Sequence, residues 1–238
     1  MSLKASNISK RFAAVEVLNS ISLTFEPGTV TAIVGDNGAG KSTFLKILAG
    51  VHEASSGEVH LDDIKLPDFS PEMHRKAGIE MVFQDFALAK SHDAVSNLFM
   101  AREKCGSFGW IKKNSMRKEA EAIFDKLQIR IPDLSANVAI LSGGQQQAVA
   151  IARAILFNPK VLLLDEPTAA LAAREVGRVI ELINQQKSEG RIIVLVSHRL
   201  NDVFAVSDRV VVLKQGTLFS DDPIAGVTLA EVVQRIVS

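Results

Sequence analysis

A glycine-rich segment followed by lysine and serine is the part of the sequence best suited to hold phosphate. It reads Gly35-Asp36-Asn37-Gly38-Ala39-Gly40-Lys41-Ser42 and matches the pattern Gly-x4-Gly-Lys-[Ser/Thr]. Its glycines let successive N–H groups point at phosphate oxygens, and a helix starting there adds partial positive charge. Lys41 can reach the β- and γ-phosphates, and Ser42 can bind Mg²⁺. The segment, continued through Thr43, therefore predicts a site for a nucleoside triphosphate.

Two adjacent carboxylates follow an apolar run further along the chain. Val161-Leu162-Leu163-Leu164 predicts a buried strand, and Asp165 and Glu166 come at its C-terminal end, where open α/β sheets bind ligands. Asp165 can hold Mg²⁺ directly or through water, and Glu166 can accept a proton from an attacking water. A solvated strand end would explain this pair if it stood alone. Downstream of a phosphate loop, it predicts hydrolysis of the bound triphosphate.

A second potential anion site lies between these two motifs, at Leu141-Ser142-Gly143-Gly144-Gln145. Ser142 can cap the helix that follows, and the two glycines leave the N-terminal amides of that helix uncovered. No phosphate bound by the same chain is an obvious ligand for this second anion site. A phosphate bound by another copy of the chain would supply one.

With these three motifs in this order, the sequence resembles the nucleotide-binding subunits of ATP-binding cassette (ABC) transporters over essentially its whole length. The resemblance implies an α/β fold: a P-loop NTPase core with a mostly parallel sheet, a small antiparallel β sub-domain and a helical sub-domain. It also implies that two copies close head to tail, with ATP between the phosphate loop of one and the Leu141–Gln145 signature of the other. Transmembrane permease subunits, and indirectly a solute-binding protein, are the further partners that it implies.

Three more positions acquire roles through the resemblance. Gln84, in Met-Val-Phe-Gln-Asp, matches the glutamine that senses Mg²⁺ and begins the surface that touches the membrane subunit. His198, in Val-Ser-His-Arg, matches the histidine that contacts the γ-phosphate. Phe12, in Lys-Arg-Phe, matches the aromatic residue that stacks on adenine. The catalytic set that we predict is therefore Lys41, Gln84, Glu166 and His198, and the Mg²⁺ ligands are Ser42, Gln84 and Asp165.

The sequence departs from the family pattern after Glu166-Pro167-Thr168. The family usually reads Ser-Ala-Leu-Asp there, whereas this chain reads Ala169-Ala170-Leu171-Ala172 and lacks the aspartate that helps to organise the opposite site. How the two sites of a dimer communicate is therefore left open, but the chain has all of the residues predicted to hydrolyse ATP.

Finer features resemble the bacterial importers of simple sugars. They are Ile8-Ser9-Lys10-Arg11-Phe12, Gly35-Asp36-Asn37-Gly38-Ala39-Gly40, the Gln145-Gln146-Gln147 run, Ser197-His198-Arg199-Leu200-Asn201-Asp202-Val203 and the departure at Ala169-Ala170-Leu171-Ala172. Importers of nucleosides or other small molecules, and ABC ATPases outside transport, remain alternatives. A soluble phosphotransferase would also use a phosphate loop but would not need the Leu-Ser-Gly-Gly-Gln signature. Whether the chain is a whole subunit or half of a tandem ATPase is likewise open.

The elements that must position these residues alternate between apolar runs and helical patterns, which indicates a mostly parallel sheet wrapped by helices. The predicted strands are Val30–Val34, Ile79–Phe83, Val161–Leu164, Ile192–Val196 and Val210–Leu213. The predicted helices are Ser42–Ala49, Arg117–Leu127, Gly144–Leu156, Arg174–Ser188 and Leu200–Val206.

Two regions interrupt the alternation. Residues 1–30 and 57–66 predict short, more antiparallel strands with turns at Glu26-Pro27-Gly28 and Ser56-Gly57. Residues 87–140 predict a mainly helical region, in which 117–127 is amphipathic. We therefore predict one ABC ATPase domain over 1–238, with a helical sub-domain over approximately 87–157 inserted in the α/β core.

Composition excludes several other classes. The 238 residues carry 27 basic and 27 acidic side chains, so no whole-protein field favours nucleic acid as a partner. A single cysteine, Cys105, closes no intrachain disulfide and points to a reducing compartment. The longest stretch without charge, 134–152, contains glutamines and glycines, which argues against a spanning helix. We expect a peripheral protein at the cytoplasmic face of the plasma membrane, held there by a partner.

Overall fold

A six-stranded sheet forms the centre of the computed structural model, which describes residues 1–106, 108–169 and 171–237. Its strands are β3 (Val30–Val34), β6 (Ile79–Val82), β7 (Val161–Asp165), β8 (Ile192–Val196), β9 (Arg209–Lys214) and β10 (Thr217–Pro223). Their spatial order is β10-β9-β3-β8-β7-β6, and all neighbouring pairs are parallel except β9 with β10. Every residue of β3, β6, β7 and β8 is buried, and most of these residues are Val, Ile or Leu, as is typical of parallel strands covered on both faces.

The strand order decides which loops meet. The parallel strands β3, β8, β7 and β6 are adjacent, so their carboxyl ends lie along one edge of the sheet. The phosphate loop follows β3, His198 comes two residues after β8, Glu166 directly follows β7, and Gln84 comes two residues after β6. Four predicted site segments that are far apart in the chain therefore open on the same edge, as ligand-binding loops of open α/β sheets do.

A second, antiparallel sheet packs on the same core. Its strands are β1 (Leu3–Phe12), β2 (Val15–Phe25), β4 (Ser56–Leu61) and β5 (Ile64–Lys65), in the order β2-β1-β4-β5. Alternate residues of β1 and β2, such as Leu3, Ile8 and Phe25, are fully buried against the first helix of the core. This sheet confirms the antiparallel strands predicted for 1–30 and 57–66, although β1 and β2 are longer than predicted. The turn predicted at Ser56-Gly57 is wrong, because both residues belong to β4.

Eight α-helices surround the sheets in the described part of the chain. They are α1 (Lys41–Leu48), α2 (Pro71–Ala77), α3 (Ala94–Phe99), α4 (Lys113–Lys126), α5 (Gly143–Leu156), α6 (Ala173–Ser188), α7 (Leu200–Val206) and α8 (Leu229–Val237). The bounds of α7 match the prediction, those of α5 and α6 differ from it by one residue at the start, and those of α1 differ by one residue at each end. The sequence interpretation missed α2, α8 and β10.

The prediction that 87–140 is mainly helical is wrong. Only α3, α4 and a 3-10 turn at Val138–Ile140 are helical there, and loops connect them. The reason is that the amphipathic pattern is confined to α4, which buries Met116, Ala120, Ile123 and Phe124. Those side chains pack with α3 and α5 into one apolar cluster, so the region folds around buried side chains and not around continuous helix.

Across the described residues, no helix is both long and apolar enough to cross a membrane.

Candidate functional site

The phosphate loop joins β3 to α1 through glycines that no other residue could replace without strain. Gly35 has φ 148°, and a Cβ there would lie 2.1 Å from the carbonyl oxygen of Leu213. Gly40, the residue before α1, has φ 93°, and a Cβ there would lie 2.5 Å from Leu18 Cδ2. The loop can therefore curl tightly against β9 and β2 while Asp36, Asn37 and Gly38 stay exposed.

Lys41 lies inside this loop. Its Nζ donates hydrogen bonds of 2.8 Å to the carbonyl oxygens of both Gly35 and Asp36. Burial lowers the pKa of the Lys41 ammonium below its usual value, and the nearby carboxylates of Glu166, Asp36 and Asp165 act in the opposite direction. A buried ammonium held only by carbonyl oxygens is a favourable partner for a phosphate that enters the loop.

Ser42 and Asp165 bring the two motifs into contact. The Ser42 hydroxyl donates a 2.8 Å hydrogen bond to Oδ1 of Asp165 across 123 positions of sequence. Asp165 is 3% exposed, and burial raises its pKa above the usual value, while the Ser42 hydrogen bond lowers it. The pair offers a hydroxyl and a carboxylate oxygen, which are the donors that Mg²⁺ prefers. No cluster of three His, Cys, Asp or Glu exists among the described residues, so an ion here would need phosphate oxygens or water as further ligands.

Glu166 and His198 form the second contact at this edge. Nδ1 of His198 lies 2.7 Å from Oε2 of Glu166, and the backbone N–H of His198 donates to the same oxygen at 3.3 Å. Glu166 has φ 52°, in the left-handed region that non-glycine residues rarely occupy, and its own N–H donates to the carbonyl of Val196. Backbone strain of this kind is concentrated at functional sites, where the surrounding structure holds it. The His198 side chain is 58% exposed and can meet a ligand from solvent.

A buried network behind this pair was missed by the sequence interpretation. The Thr168 hydroxyl donates 2.7 Å to Oδ2 of Asp202, and Nε of Arg199 lies 3.2 Å from the same oxygen. Arg199 also donates to the Thr168 carbonyl at 2.9 Å. These contacts fix the segment after Glu166 against the start of α7, beside His198. The spacing of Arg199 and Asp202 is visible in the sequence, but their contact with Thr168 depends on β7 and β8 being neighbours.

The Leu141–Gln145 signature begins α5 and faces outward. Ser142 and Gln145 form a reciprocal cap: the Gln145 N–H donates to Ser142 Oγ at 3.2 Å, and the Ser142 N–H donates to Gln145 Oε1 at 2.9 Å. Ser142 and Gly143 are exposed and Gly144 is partly exposed, so the glycine pair is accessible from solvent. The Glu175 carboxylate of α6 lies against Gly144, where an added Cβ would come within 2.1 Å of its Oε1.

The predicted site residues thus fall into separate groups. Contacts link Lys41, Ser42, Asp165, Glu166 and His198 into one cluster through hydrogen bonds and charge interactions. Within the described residues, no hydrogen bond or ion pair joins the signature to that cluster. Gln84 is exposed after β6, and Phe12 lies at the end of β1 with its ring 5.5 Å from that of His52. The roles of these two residues stay predictions, and Ala170 lies outside the described residues.

Comparison with known proteins decides the family. A family model described as ABC transporter matches residues 18–169, which is more than half of the chain. The chain belongs to the ABC transporter family. The cassette is 40% identical to the xylose/arabinose import ATP-binding protein XylG of Sulfolobus acidocaldarius, over 91% of this chain and 86% of that protein. It is 42% identical to the ribose import ATP-binding protein RbsA of Chromobacterium violaceum, over 100% of this chain and 47% of that protein.

Solved structures of ABC cassettes share its fold. The dimeric cassette MJ0796, in a post-hydrolysis state bound to ADP and Pi, superposes with a TM-score of 0.81 at 28% identity and covers 93% of this cassette and 98% of that chain. The nucleotide-free cassette of another ABC transporter gives the same TM-score at 25% identity over 100% of this cassette. The predicted family and fold class are confirmed. The cassette spans about half the length of the ribose import relatives that it matches.

Proposed function

We propose that this cassette binds ATP with Mg²⁺ and hydrolyses it to ADP and phosphate. The observation that carries the proposal is the contact between Glu166 and His198 at the edge of the sheet where Lys41, Ser42 and Asp165 also meet. A carboxylate held beside a triphosphate can orient water for attack, and phosphoryl transfer needs positioning and charge stabilisation more than covalent chemistry.

Each residue of the cluster has a separate task in this proposal. Lys41 exchanges its two loop carbonyls for the β- and γ-phosphate oxygens of ATP. Ser42 and Asp165 would hold Mg²⁺, which neutralises phosphate charge, and Gln84 would approach the ion through water. Glu166 orients the attacking water, His198 donates to the phosphoryl group, and the Phe12 ring stacks on adenine.

The complete site requires a second copy of the cassette. The start of α5 is accessible at Ser142, Gly143 and Gly144, and the N–H groups of the two glycines are suited to phosphate. These residues make no hydrogen bond or ion pair with the cassette's own phosphate loop in the part of the chain that the structure describes. We propose that they bind the γ-phosphate held by the partner copy. Ligand-driven pairing of this kind explains two anion sites in one chain.

We further propose that the cassette powers the import of a simple sugar. Its relatives are named as import proteins for xylose, arabinose and ribose. In this role the cassette is a peripheral subunit at the cytoplasmic face of the plasma membrane, and it acts through transmembrane permease subunits. ATP closes the pair of cassettes, and hydrolysis reopens it.

Phosphate release tests the enzymatic part of the proposal. The cassette with Mg-ATP should release inorganic phosphate into water without a sugar or nucleoside acceptor, and Lys41→Ala should reduce the rate at least a hundredfold. Lys160→Ala, which removes an exposed lysine at the opposite end of β7, is the matched control and should keep the rate. Transfer of the phosphate to an organic acceptor would identify a phosphotransferase and contradict the proposal.

Uptake by cells tests the transport part. Replacing the cassette in its host by a Lys41→Ala form should abolish uptake of at least one labelled pentose among ribose, xylose and arabinose. Unchanged pentose uptake with loss of nucleoside uptake would reassign the cargo and leave the ATPase proposal intact.

A further inference from the structure

A hairpin between α3 and α4 carries the most exposed large apolar side chains of the described residues. Phe108 is 91% exposed and Trp110 is 79% exposed, and Ile111 beside them is 49% exposed. We name these three residues the aromatic tip. Exposed apolar groups of this size cost free energy in water, so their clustering at one point calls for something that covers them.

Backbone pairing and an ion pair hold the hairpin that carries the aromatic tip. Cys105 pairs with Ile111 as an antiparallel bridge, and the Lys112 N–H donates to the Lys104 carbonyl at 2.7 Å. Below this bridge, Arg102 forms a two-pronged ion pair with the buried Glu80 of β6, and its guanidinium stacks 3.9 Å from the centre of the Phe157 ring. The aromatic tip is thus presented on an anchored support.

Charge around the aromatic tip points to an anionic partner. The segment 102–113 contains four basic residues and one acidic residue. Arg102 and Lys104 are paired with Glu80 and Glu119. Lys112 and Lys113, directly after the aromatic tip, are exposed, and no carboxylate in the described parts of the chain pairs with them. Two lysines without a carboxylate partner, next in the chain to exposed apolar side chains, match a surface that is apolar inside and negative outside.

We propose that the aromatic tip inserts into the headgroup region of an anionic lipid bilayer. Trp is amphipathic and lies readily at a membrane–water boundary, Phe adds apolar area beside it, and the neighbouring lysines can lie at the phosphate level. The apolar area fits this occupant better than a protein one: two aromatic side chains and one isoleucine supply about 500 Å² at most, whereas a stable protein interface buries about 800 Å² on each partner. The contact is independent of the ATP cluster and of the sugar assignment.

The chain itself supplies the probe for this contact. It contains one tryptophan and no tyrosine, so its intrinsic fluorescence reports on Trp110 alone. Vesicles of phosphatidylglycerol mixed with phosphatidylcholine should shift the emission to shorter wavelength and sediment the protein. Vesicles of phosphatidylcholine alone should do neither, and raised salt should weaken the binding to anionic vesicles.

Variants separate the lipid contact from non-specific adsorption. Phe108→Ser should weaken binding to anionic vesicles, measured by sedimentation, at least tenfold, and it leaves Trp110 in place as the fluorescent probe. The double change Lys112→Gln/Lys113→Gln should weaken binding about thirty-fold. The matched control Lys4→Gln/Lys160→Gln removes the same charge from exposed positions elsewhere and should bind as the parent does. Circular dichroism establishes that each variant is folded.

Three results would overturn the proposal. The first is an unchanged emission spectrum with anionic vesicles, and the second is equal binding by all of the variants. The third is an emission shift that requires membranes containing permease subunits and is absent with protein-free vesicles, because the aromatic tip would then bind a protein.

Discussion

Two adjacent carboxyl groups at the end of β7 lie in different surroundings. Asp165 is buried and hydrogen-bonded to Ser42, and burial raises its pKa. Glu166 is held by the ring and the backbone N–H of His198. The first is suited to a metal ion, whose positive charge offsets the cost of burying an ionised carboxylate. The second is suited to water, which the exposed His198 side chain can reach.

Replacing Glu166 by Gln removes the carboxylate that we propose orients the attacking water. We expect the rate of ATP hydrolysis to fall at least a hundredfold while affinity for ATP is kept, because the amide is almost isosteric but cannot accept a proton. Phosphate release and binding of a fluorescent ATP analogue measure the two effects. Glu181→Gln, on the exposed face of α6, is the control and should leave both unchanged. Normal turnover by Glu166→Gln would show that its assigned role is wrong.

Replacing Asp165 by Asn should separate stability from function. Because the pKa of Asp165 is raised in the folded state, ionisation of this carboxyl lowers the free energy of unfolding. The loss of stability is complete at pH values above the folded pKa. It vanishes at pH values below the unfolded pKa, which is about 3.9. Asp165→Asn should therefore raise the melting temperature of the nucleotide-free chain more at pH 8 than at pH 4, while hydrolysis is lost. A melting temperature lower than that of the parent at pH 8 would contradict the buried-charge account.

At the scale of elements, the start of α6 is incompletely capped. Its N-cap is Ala172, which has no side-chain oxygen, although Glu175 accepts a hydrogen bond from the Ala172 N–H at 3.3 Å as in half of a capping box. The missing polar side chain noted in the sequence therefore has a local structural effect, besides any effect on the opposite site of a dimer.

Ala172→Ser should complete that cap. We expect a gain of about 1 kcal/mol in the free energy of unfolding, or about 2–4 °C in melting temperature, without nucleotide. Ala173→Ser, one residue inside the helix, is the control and should give no gain. If both substitutions had the same effect, the cap would not explain it.

Two helical glycines give a second comparison at this scale. A Cβ at Gly177 of α6 meets nothing within 4 Å, so Gly177→Ala should stabilise the chain by about 1 kcal/mol. A Cβ at Gly144 of α5 would displace the Glu175 carboxylate and break its bond to Ala172. Thermal unfolding should thus show a smaller gain, or a loss, for Gly144→Ala. Equal gains would mean that the Glu175 contact has no energetic weight.

An element can be predicted from the sequence when the residues that specify it lie within the element or directly beside it. Strand β8 is a continuous apolar run and β3 is one apart from Thr31, and the predicted bounds of both match the structure. Helix α8 was missed although its signal was present: Thr228 and Glu231 form a reciprocal cap of the Thr-x-x-Glu type. The contact of Thr168 with Asp202 spans 34 positions and depends on strand order, which no local pattern encodes.

At the scale of the whole molecule, the three motifs lie on two separate parts of the surface. The phosphate loop and the carboxylates meet at the carboxyl edge of the sheet, whereas the signature opens outward at the start of α5. The sequence predicts this separation, because the signature is a second potential anion site for which the same chain offers no phosphate. The cassette MJ0796 was solved as a dimer with ADP and Pi, and its fold matches this chain closely.

The size of the Glu166→Gln protein with and without Mg-ATP tests the central claim of shared nucleotide sites most directly. Light scattering should find a monomer without nucleotide and a dimer with it. Adding Ser142→Arg to the same protein should keep one ATP bound per chain but leave the protein monomeric, since the arginine obstructs the accessible start of α5. An ATP-dependent dimer that persists in Glu166→Gln/Ser142→Arg, or a Glu166→Gln protein that binds ATP and stays monomeric, would contradict the account.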